Sequence, residues 1–373
     1  MESTLKPLSG LWKPLAVDAV YYGPDTVDKH LLSVLPTPSS KAYIITGKSL
    51  ATKTPLIKAV EQRLGTHHAG TFSSLSAHTP IAELNALIDA ITAQPDIDTL
   101  LSIGGGSPID ATKAAVFRFH EATGRWLTHI AIPTTLSAAE CTCGAGYTNE
   151  EGVKSRLAHP NISPKTILYD VSFARHTPPR LWKSTAFRAL DHAVETMYNP
   201  YASETSKVMA IEAARSLFHL LPQYQAGATD DVMARMHLAA YHSLAFLGLN
   251  LKGSIGLSHT LGYALGSPYG IPHGITSTLT LGHVVKLKAQ GPAAGQIARL
   301  ARAVGISKGD DKQDAEAFGD AILQLVRTVD LYGTLADYGV GGDQLEIIVR
   351  RGTGLELGAE GFAEVEQLVS GLF

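Results

Sequence analysis

The chain has 373 residues, of which 45% are hydrophobic and 17% are charged, and its formal net charge is -3 at pH 7. This length allows two or three domains, and the composition is that of a well-packed soluble protein. A charge so close to zero provides no general attraction for nucleic acid or acidic membranes, so neither is expected as a partner. No stretch approaches the roughly eighteen apolar residues of a membrane span, and residues 1–17 lack the apolar run of a signal peptide. We therefore expect a cytoplasmic protein that binds a small molecule.

The first clear element is an apolar strand over 41–46, which is followed by a helical stretch that ends at Leu64. This order predicts the first strand–helix unit of a nucleotide-binding sheet. Gly47, Lys48 and Ser49 lie at the junction of the two elements, where a ligand would bind. A single Gly-x-Ser lacks the further glycines of a dinucleotide fingerprint, and Lys48 is equally compatible with a solvated surface position.

The second unit consists of a helix over 81–94 and a buried strand over 98–103, which is followed by a glycine-rich segment. The residues of interest in this segment are Gly104, Gly105, Gly106, Ser107 and Asp110. Consecutive glycines let the backbone approach a ligand, and the free N–H groups at the start of the following helix suit a pyrophosphate. We expect Ser107 and Asp110 to form a capping box at that helix start.

Two further strands, over 130–133 and 167–170, complete the first half of the chain. Thr134 and Thr135 directly follow the earlier of these strands. Cys141 and Cys143 are too close in sequence for a disulfide framework, and two thiols alone make a poor zinc site, so we expect reduced cysteines.

The second half of the chain, after the break at Pro178 and Pro179, shows helical patterns only. These patterns cover 203–221, 230–249, 256–265, 296–304, 311–328, 342–351 and 360–372. Alternating strands and helices followed by helices alone predict an α/β nucleotide-binding domain over 1–175 and an all-helical domain over 176–373. The cleft between the two domains is the expected ligand site.

A cluster of chemically active side chains is predicted in the helical half. Arg188 and His192 are four residues apart on a helix, as are His259 and Tyr263, so each pair shares one helical face, and His273 follows in a Pro-His-Gly segment. His192, His259 and His273 could ligate zinc or ferrous iron. The charge of Arg188 opposes this, because each pair of unit like charges at ~4 Å and a dielectric of ~20 costs ~4 kcal/mol, and a divalent ion roughly doubles that.

These motifs also carry a resemblance to a known family. The helical segment from Arg188 to Glu195, the His259-x-x-x-Tyr263 pair and the Pro-His-Gly segment at His273 fall in the order found in the iron-containing (group III) alcohol dehydrogenase family. The resemblance covers nearly the whole chain and implies a dehydroquinate synthase-like fold, with a Rossmann-like α/β domain followed by a helical domain. In metal-dependent members the position of Arg188 is an aspartate that ligates the metal with three histidines. The maleylacetate reductase branch also lacks that aspartate, is generally regarded as metal-independent, and resembles this chain more closely.

The resemblance further implies an NAD(P)H cofactor, no metal and a homodimer. The glycine-rich segment matches the family's pyrophosphate motif, and Thr134 and Thr135 would lie around the cofactor. The position of Gly47 is often an aspartate that accepts a hydrogen bond from the adenosine ribose. Gly47 with Lys48 beside it leaves room for a 2′-phosphate, so NADPH is as acceptable as NADH.

The leading functional hypothesis is a metal-independent, NAD(P)H-dependent reductase of a carboxylated enone or carbonyl, of which maleylacetate is the example that the resemblance implies. Arg188 would grip a substrate carboxylate or a developing enolate oxygen, and Tyr263 would be the general acid or, alternatively, a packed residue of the cleft. Glu195 would either orient a neighbour or be a surface charge. A metal-dependent alcohol dehydrogenase stays open as one alternative. A non-redox lyase, isomerase or cyclase is another, because Arg188, Tyr263 and the loop over 137–140, which lacks the family's glycines, depart from the family's pattern.

Overall fold

The computed structural model describes residues 8–76, 80–148 and 154–373 of the chain. The first half of the chain is built around a six-stranded parallel sheet. In chain order the strands are β1 (Ala19–Gly23), β2 (Ala42–Gly47), β3 (His68–Leu75), β4 (Thr99–Gly104), β5 (Thr128–Pro133), β6 (Gly144–Thr148), β7 (Lys154–Ala158) and β8 (Thr166–Asp170). The sheet order is β1-β8-β5-β4-β2-β3, and β6 and β7 form a separate antiparallel pair. After β3 the chain crosses back over β2 to reach β4. The order therefore reverses between β2 and β4, which is where parallel sheets of this kind bind nucleotides.

Helices cover both faces of this sheet. They are α1 (Thr26–His30), α2 (Lys48–Lys53), α3 (Leu56–Leu64), α4 (Ile81–Thr92), α5 (Gly106–Thr123) and α6 (Val171–Ala174). One hydrophobic cluster joins α4 and α5 to one face, and a second joins α1 and α3 to the other. Because both faces are covered, β4 and β8 are buried along their whole length, which explains their nearly continuous apolar sequences.

The second half of the chain is helical and contains the largest hydrophobic core. Its helices are α7 (Pro179–Tyr198), α8 (Glu204–Ala226), α9 (Asp230–Leu244), α10 (Leu257–Tyr269), α11 (His273–Lys288), α12 (Ala294–Ala303), α13 (Asp311–Thr328), α14 (Leu345–Thr353) and α15 (Phe362–Ser370). Helix α7 packs against α8, α9 and α11 and is buried from Trp182 to Met197. The charged groups that α7 carries therefore lie inside the protein. Across the described ranges, no helix is both long enough and apolar enough to cross a membrane.

An N-terminal arm, which we define as residues 8–13, contacts the helical half before the chain enters the sheet. Trp12 donates its indole N–H to the carbonyl of Phe246 at 2.9 Å, and the two rings stack at 5.8 Å. The carbonyl of Lys13 accepts from the backbone N–H of Leu249 at 2.8 Å. A Cβ atom at Gly248 would lie 2.1 Å from that carbonyl, so this close approach requires glycine.

Candidate active site

The glycine-rich segment lies at the carboxyl end of β4, beside the point where the strand order reverses. Gly104 ends the strand with φ 140°, a conformation that favours glycine, and its carbonyl accepts from the backbone N–H of Thr134 at 2.9 Å. A Cβ atom at Gly105 would lie 3.1 Å from Cγ2 of Thr135. The structure therefore brings the three predicted glycines together with both predicted threonines, in a cradle that side chains would fill.

The predicted capping box is wrong in its position. Helix α5 begins at Gly106 with Gly105 as its N-cap, so Ser107 lies inside the first turn. The carboxylate of Asp110 instead accepts from the backbone N–H of Gly146 at 3.1 Å, which ties the first turn of α5 to β6. Fully buried Lys113 contacts the same strand, because its ammonium donates to the carbonyl of Gly144, the first residue of β6, at 2.7 Å.

The other predicted cofactor residues lie at the same edge of the sheet. Gly47 ends β2 and is the N-cap of α2, and the exposed side chains of Lys48 and Ser49 follow it. Because β2 and β4 are paired neighbours in the sheet, this group lies across the reversal point from Gly104. Both cysteines are free thiols, with Cys141 buried and Cys143 half-buried.

The predicted catalytic residues converge on a buried group of charges in the helical half. Helix α7 presents Arg188, Asp191, His192 and Glu195 at helical spacing, and none of them is more than 7% exposed. Helix α10 brings His259, whose Nδ1 lies 2.7 Å from Oε2 of Glu195 and 3.3 Å from Oδ1 of Asp191. The guanidinium of Arg188 lies 3.7 Å from Oδ2 of Asp191, so positive and negative groups alternate.

Helix α11 completes this arrangement from the other side. Ser277 donates its hydroxyl to Oδ2 of Asp191 at 2.6 Å and receives a hydrogen bond from Arg188 at 3.4 Å. Half-buried Tyr263 and His273 meet edge to face at 5.9 Å, and the Arg188 guanidinium carbon lies 5.8 Å from the Tyr263 ring centre. All five predicted catalytic residues therefore belong to one cluster.

The protonation states within the cluster follow from burial and from these charges. Burial and Arg188 each lower the pKa of His259, but Asp191 and Glu195 outweigh them and raise the pKa to about 9. Burial would raise the pKa of Asp191, but the charge and hydrogen bond of His259, with Arg188 and Ser277, lower it overall. Burial, His259 and Arg188 all lower the pKa of His192, so that imidazole is neutral. At neutral pH two cations thus face two carboxylates.

Two of these four charges, Asp191 and Glu195, were not predicted as site residues. The sequence left Glu195 open between an orienting role and a surface charge, and the structure buries it completely. Its carboxylate accepts from the backbone N–H of Ser258 at 2.7 Å, in addition to the imidazole of His259. A Cβ atom at Gly256 would lie 2.4 Å from Oε1 of Glu195, so only glycine fits there. Their spacing from Arg188 and His192 places both acids on the same face of α7, but no local signal in the sequence marks that face as buried.

The set of residues that could ligate a metal also differs from the predicted three histidines. Asp191, Glu195 and His259 form a group whose ligand atoms all lie within 4.8 Å of one another. The 2.7 Å separation of His259 Nδ1 from Glu195 is a hydrogen-bond distance. Two ligands of one tetrahedral zinc ion would lie roughly 3.3 Å apart. In this arrangement the His259 ring and the Glu195 carboxylate are hydrogen-bonded to each other and are too close together to ligate one zinc ion.

Both halves of the chain match models of one protein family. Residues 18–171 match the family model described as iron-containing alcohol dehydrogenase, and residues 183–367 match the C-terminal model of the Fe-containing alcohol dehydrogenase family. The chain is 30% identical over 298 residues to a maleylacetate reductase of Rhizobium sp. (strain MTP-10005), with 79% of this chain and 78% of the relative covered. It is 28% identical over 303 residues to the 1-propanol dehydrogenase PduQ of Citrobacter freundii, with 79% and 80% covered.

Solved structures show the same two-part fold. The crystal structure of the Rhizobium maleylacetate reductase covers 99% of both chains with a TM-score of 0.83 at 24% identity. A 1,3-propanediol oxidoreductase covers 98% of this chain and 100% of its own, with a TM-score of 0.85 at 22% identity. These similarities confirm the predicted Rossmann-like sheet domain followed by a helical domain.

Proposed function

We propose a specific reaction for this chain, which belongs to the iron-containing alcohol dehydrogenase family and, with that family, is an oxidoreductase. The reaction is transfer of hydride from NAD(P)H to a carboxylated enone or carbonyl, without a metal ion. The observation that carries this proposal is the buried guanidinium of Arg188, which lies beside the half-buried side chains of Tyr263 and His273.

The residues at the sheet edge fit a dinucleotide. Gly104, Gly105 and Gly106 pack against neighbouring side chains and would present their backbone to a pyrophosphate at the N-terminus of α5, where the first helical N–H groups have no intrahelical partner. Thr134 and Thr135 would lie beside it. Gly47 leaves space beside exposed Lys48, whose charge would attract a 2′-phosphate, so we propose that NADPH is accepted at least as well as NADH.

The residues of the charged cluster do not fit a divalent ion at the position that the family resemblance implies. Arg188 stands where metal-dependent members carry an anionic ligand, and its charge would repel the ion. Asp191 and Glu195 are already balanced by Arg188 and by the His259 imidazolium. We therefore propose that Arg188 provides the positive charge that the metal provides elsewhere.

Each residue of the cluster has a role in this reaction. When bound, the nicotinamide supplies the hydride. Arg188 would hold a substrate carboxylate, or an oxygen on which negative charge develops, through its planar pair of N–H donors. The hydride adds to one end of the substrate double bond, and Tyr263 would donate the proton that the other end takes up. Nε2 of His259 has no partner among the described residues, so the imidazolium would polarise the substrate oxygen. Neutral His192 lies beside it, with the two rings 4.8 Å apart, and His273 lies beside Tyr263.

A metal-dependent alcohol dehydrogenase is the second candidate. One observation favours it, namely the buried group of Asp191, Glu195 and His259, which contains the donor types that iron and zinc accept. A metal in this group would have to displace the hydrogen bond between Glu195 and His259. The two candidates differ in their response to a chelator.

The test is to follow NADH and NADPH absorbance with maleylacetate in chelator-treated protein. Oxidation of either nucleotide is expected, at a rate that added iron or zinc does not raise. Activity that appears only after metal addition would support the second candidate. Substrate consumed without nicotinamide oxidation would indicate a non-redox reaction, and no reaction in protein shown to be folded would exclude this substrate.

We also propose the oligomeric state, the cellular location and the domain division of this protein. They are a homodimer, a cytoplasmic location and a division into units over 1–175 and 176–373. The family resemblance supports the dimer, and light scattering of the purified protein tests it. A mass near 39.6 kDa, that of one chain, would contradict it.

A further inference from the structure

A large open cavity lies in the helical half, beside the catalytic cluster. It has a volume of about 1020 Å³, is open to solvent, and is bordered by the last turns of α7 and α11, the start of α10, and the helices α14 and α15. Its lining residue Lys288 follows His273 by fifteen positions on α11, which is roughly 22 Å along the helix. Tyr198 likewise follows Arg188 by ten positions on α7, or roughly 15 Å. These two walls of the cavity thus lie apart from Arg188 and His273, whereas its edge at Gly256 and Leu257 lies next to the residues that hold His259.

The wall of this cavity combines apolar surface with positive charge. Met197, Leu257 and Leu287 contribute apolar side chains. Lys207 and Lys288, both half-buried, contribute two positive charges, whereas Glu364 is the acidic residue among the described lining residues and is exposed. A volume of this size accommodates a small organic molecule. Apolar contacts and an ammonium group together suit a ligand with an apolar body and one carboxylate.

Two hydrogen bonds connect the cavity wall to the catalytic cluster. Tyr198 lines the cavity and donates its hydroxyl to Oε1 of Glu195 at 3.2 Å. The other oxygen of the same carboxylate accepts from Nδ1 of His259 at 2.7 Å. A ligand that moves Tyr198 therefore changes the hydrogen bonding of the group that holds His259.

We propose that this cavity is a second binding site, for a small organic acid with an apolar body, and that its occupancy acts on His259 through Tyr198 and Glu195. The binding step does not depend on the reaction proposed above, since its contacts lie outside the catalytic cluster. The chemical class of the ligand follows from the two lysines and the apolar wall.

Calorimetric titration of the full-length protein with 3-phenylpropionate tests the binding. We expect one site, and about tenfold weaker binding for the uncharged 3-phenylpropanamide, since loss of one charged contact of ordinary strength costs about a factor of ten. Lys207→Gln and Lys288→Gln are expected to weaken binding of the acid by a similar factor. No binding to the wild-type protein, or equal binding of acid and amide, would overturn the proposal.

A substitution that fills the cavity locates the bound acid. Gly291 lines the cavity, and a Cβ atom there would meet no atom within 4 Å, so Gly291→Trp can place its ring in the cavity without displacing backbone. Gly342→Trp is the matched control, since Gly342 is equally open but lies outside the lining. Binding should be lost only in Gly291→Trp, with thermal melting showing that both variants fold. Binding that survives in Gly291→Trp and disappears in Arg188→Gln would place the acid in the catalytic cleft and overturn the proposal.

The proposed effect of the bound acid on His259 is measured separately from binding, by NMR. In protein with ¹⁵N-labelled histidine, the His259 ring signals, assigned by their loss in His259→Gln, should shift when 3-phenylpropionate is added. Tyr198→Phe removes only the hydroxyl, so it should retain binding and lose the shift. Binding without a shift in the wild-type protein, or an unchanged shift in Tyr198→Phe, would overturn the connection.

Discussion

At the scale of single residues, Glu195 joins the two helices that carry the site. It belongs to α7, yet its carboxylate accepts hydrogen bonds from the backbone of Ser258, from the ring of His259 and from the hydroxyl of Tyr198. This arrangement fixes the orientation of the His259 ring and leaves its Nε2 without a partner among the described residues. In the proposed reaction Glu195 would therefore be a positioning residue, and His259 would be the group that meets the substrate.

Replacement of Glu195 by glutamine should lower the alkaline limit of activity. The change removes one of the two carboxylates that raise the pKa of His259 to about 9, so that pKa should fall by about 1–2 units. The measurement is the pH profile of kcat/KM between pH 6 and 10. Exposed Glu364 offers a matched control, since Glu364→Gln should leave the profile as it is. An unchanged profile in Glu195→Gln would remove His259 protonation from the mechanism.

Replacement of Arg188 tests the substitution of a guanidinium for a metal. Arg188→Asp should weaken substrate binding by roughly 10²-fold, because a buried charged contact is lost and a like charge replaces it. It should also create an iron or zinc site with the neighbouring histidines, which elemental analysis after metal exposure would detect. Arg188→Gln should show the same loss of binding without metal uptake. Wild-type kinetics together with no bound metal in Arg188→Asp would contradict both roles.

Tyr263 is the proposed proton donor, and phenylalanine tests that role alone. Tyr263→Phe keeps the ring that contacts Arg188 and His273 but removes the hydroxyl. Turnover should fall by about 10²-fold or more if this hydroxyl donates the proton, while KM changes little. Nearly normal turnover would show that Tyr263 only packs in the cleft.

At the scale of elements, the contact between α7 and the start of α10 determines the shape of the site. Gly256 precedes α10 in an extended conformation and lies against the Glu195 carboxylate. Without a side chain at that position, the first N–H groups of α10 reach the carboxylate directly, as free helix N-termini favour negative charge. The glycine is therefore required by space and not by backbone conformation.

A methyl group at Gly256 should destabilise this contact. Gly256→Ala would place Cβ at 2.4 Å from Oε1 of Glu195, and overpacking of this kind typically costs about 1–3 kcal/mol. Urea unfolding measures the loss of stability. Gly291→Ala is the control, because a Cβ atom at Gly291 meets nothing within 4 Å. Equal unfolding free energies for the two variants would contradict the close approach.

The elements that could be predicted from the sequence were those with strong local signals. The buried strands β2, β4 and β5 were predicted from apolar runs that end in glycine or proline, and the paired positions on α7 and α10 from four-residue spacing. Helix α11 was not predicted, since Gly274, Gly282 and four Ser or Thr residues lower its helix propensity. It forms because those small residues allow close packing: a Cβ atom at Gly274 would lie 2.6 Å from the Ser184 backbone.

The buried acids of the site could not be predicted for a different reason. A carboxylate on a helix is ordinarily a solvated group, and nothing local distinguishes Asp191 or Glu195 from such a residue. Their burial results from α10 and α11 packing over α7, which is a contact between segments some seventy residues apart. Tertiary structure, and not local sequence, gives these two residues their role.

At the scale of the whole molecule, buried histidines make the stability of the fold depend on pH, some on the acidic side and one on the alkaline side. Burial lowers the pKa of His129 and of His237 to about 3, with Lys113 adding to the effect on His129. Both rings stay neutral in the fold, whereas the unfolded chain takes up protons below about 6.5, so stability should decrease as pH falls from 6.5 towards 3. His259 behaves in the opposite way: its contribution is complete below pH 6.5 and is lost as pH rises through 9.

We therefore expect maximum stability near pH 6.5–7, which urea unfolding at pH 5, 7 and 9 would measure. The loss between pH 7 and 9 should be of the order of 2 kcal/mol, from the difference between the folded and unfolded pKa of His259. His259→Gln should have a flatter alkaline side, and His237→Phe a flatter acidic side. Stability that is constant from pH 5 to 9 would contradict these assignments.

The N-terminal arm has a consequence for how the two halves are held together. The polypeptide first contacts the helical half through Trp12 and Lys13, then builds the entire sheet, and only then returns at Pro179. The halves are thus linked at two places along the chain. Cleavage of the backbone between Arg175 and Pro178 would leave two fragments that remain associated, because the arm of the first fragment stays bound to residues 246–250 of the second.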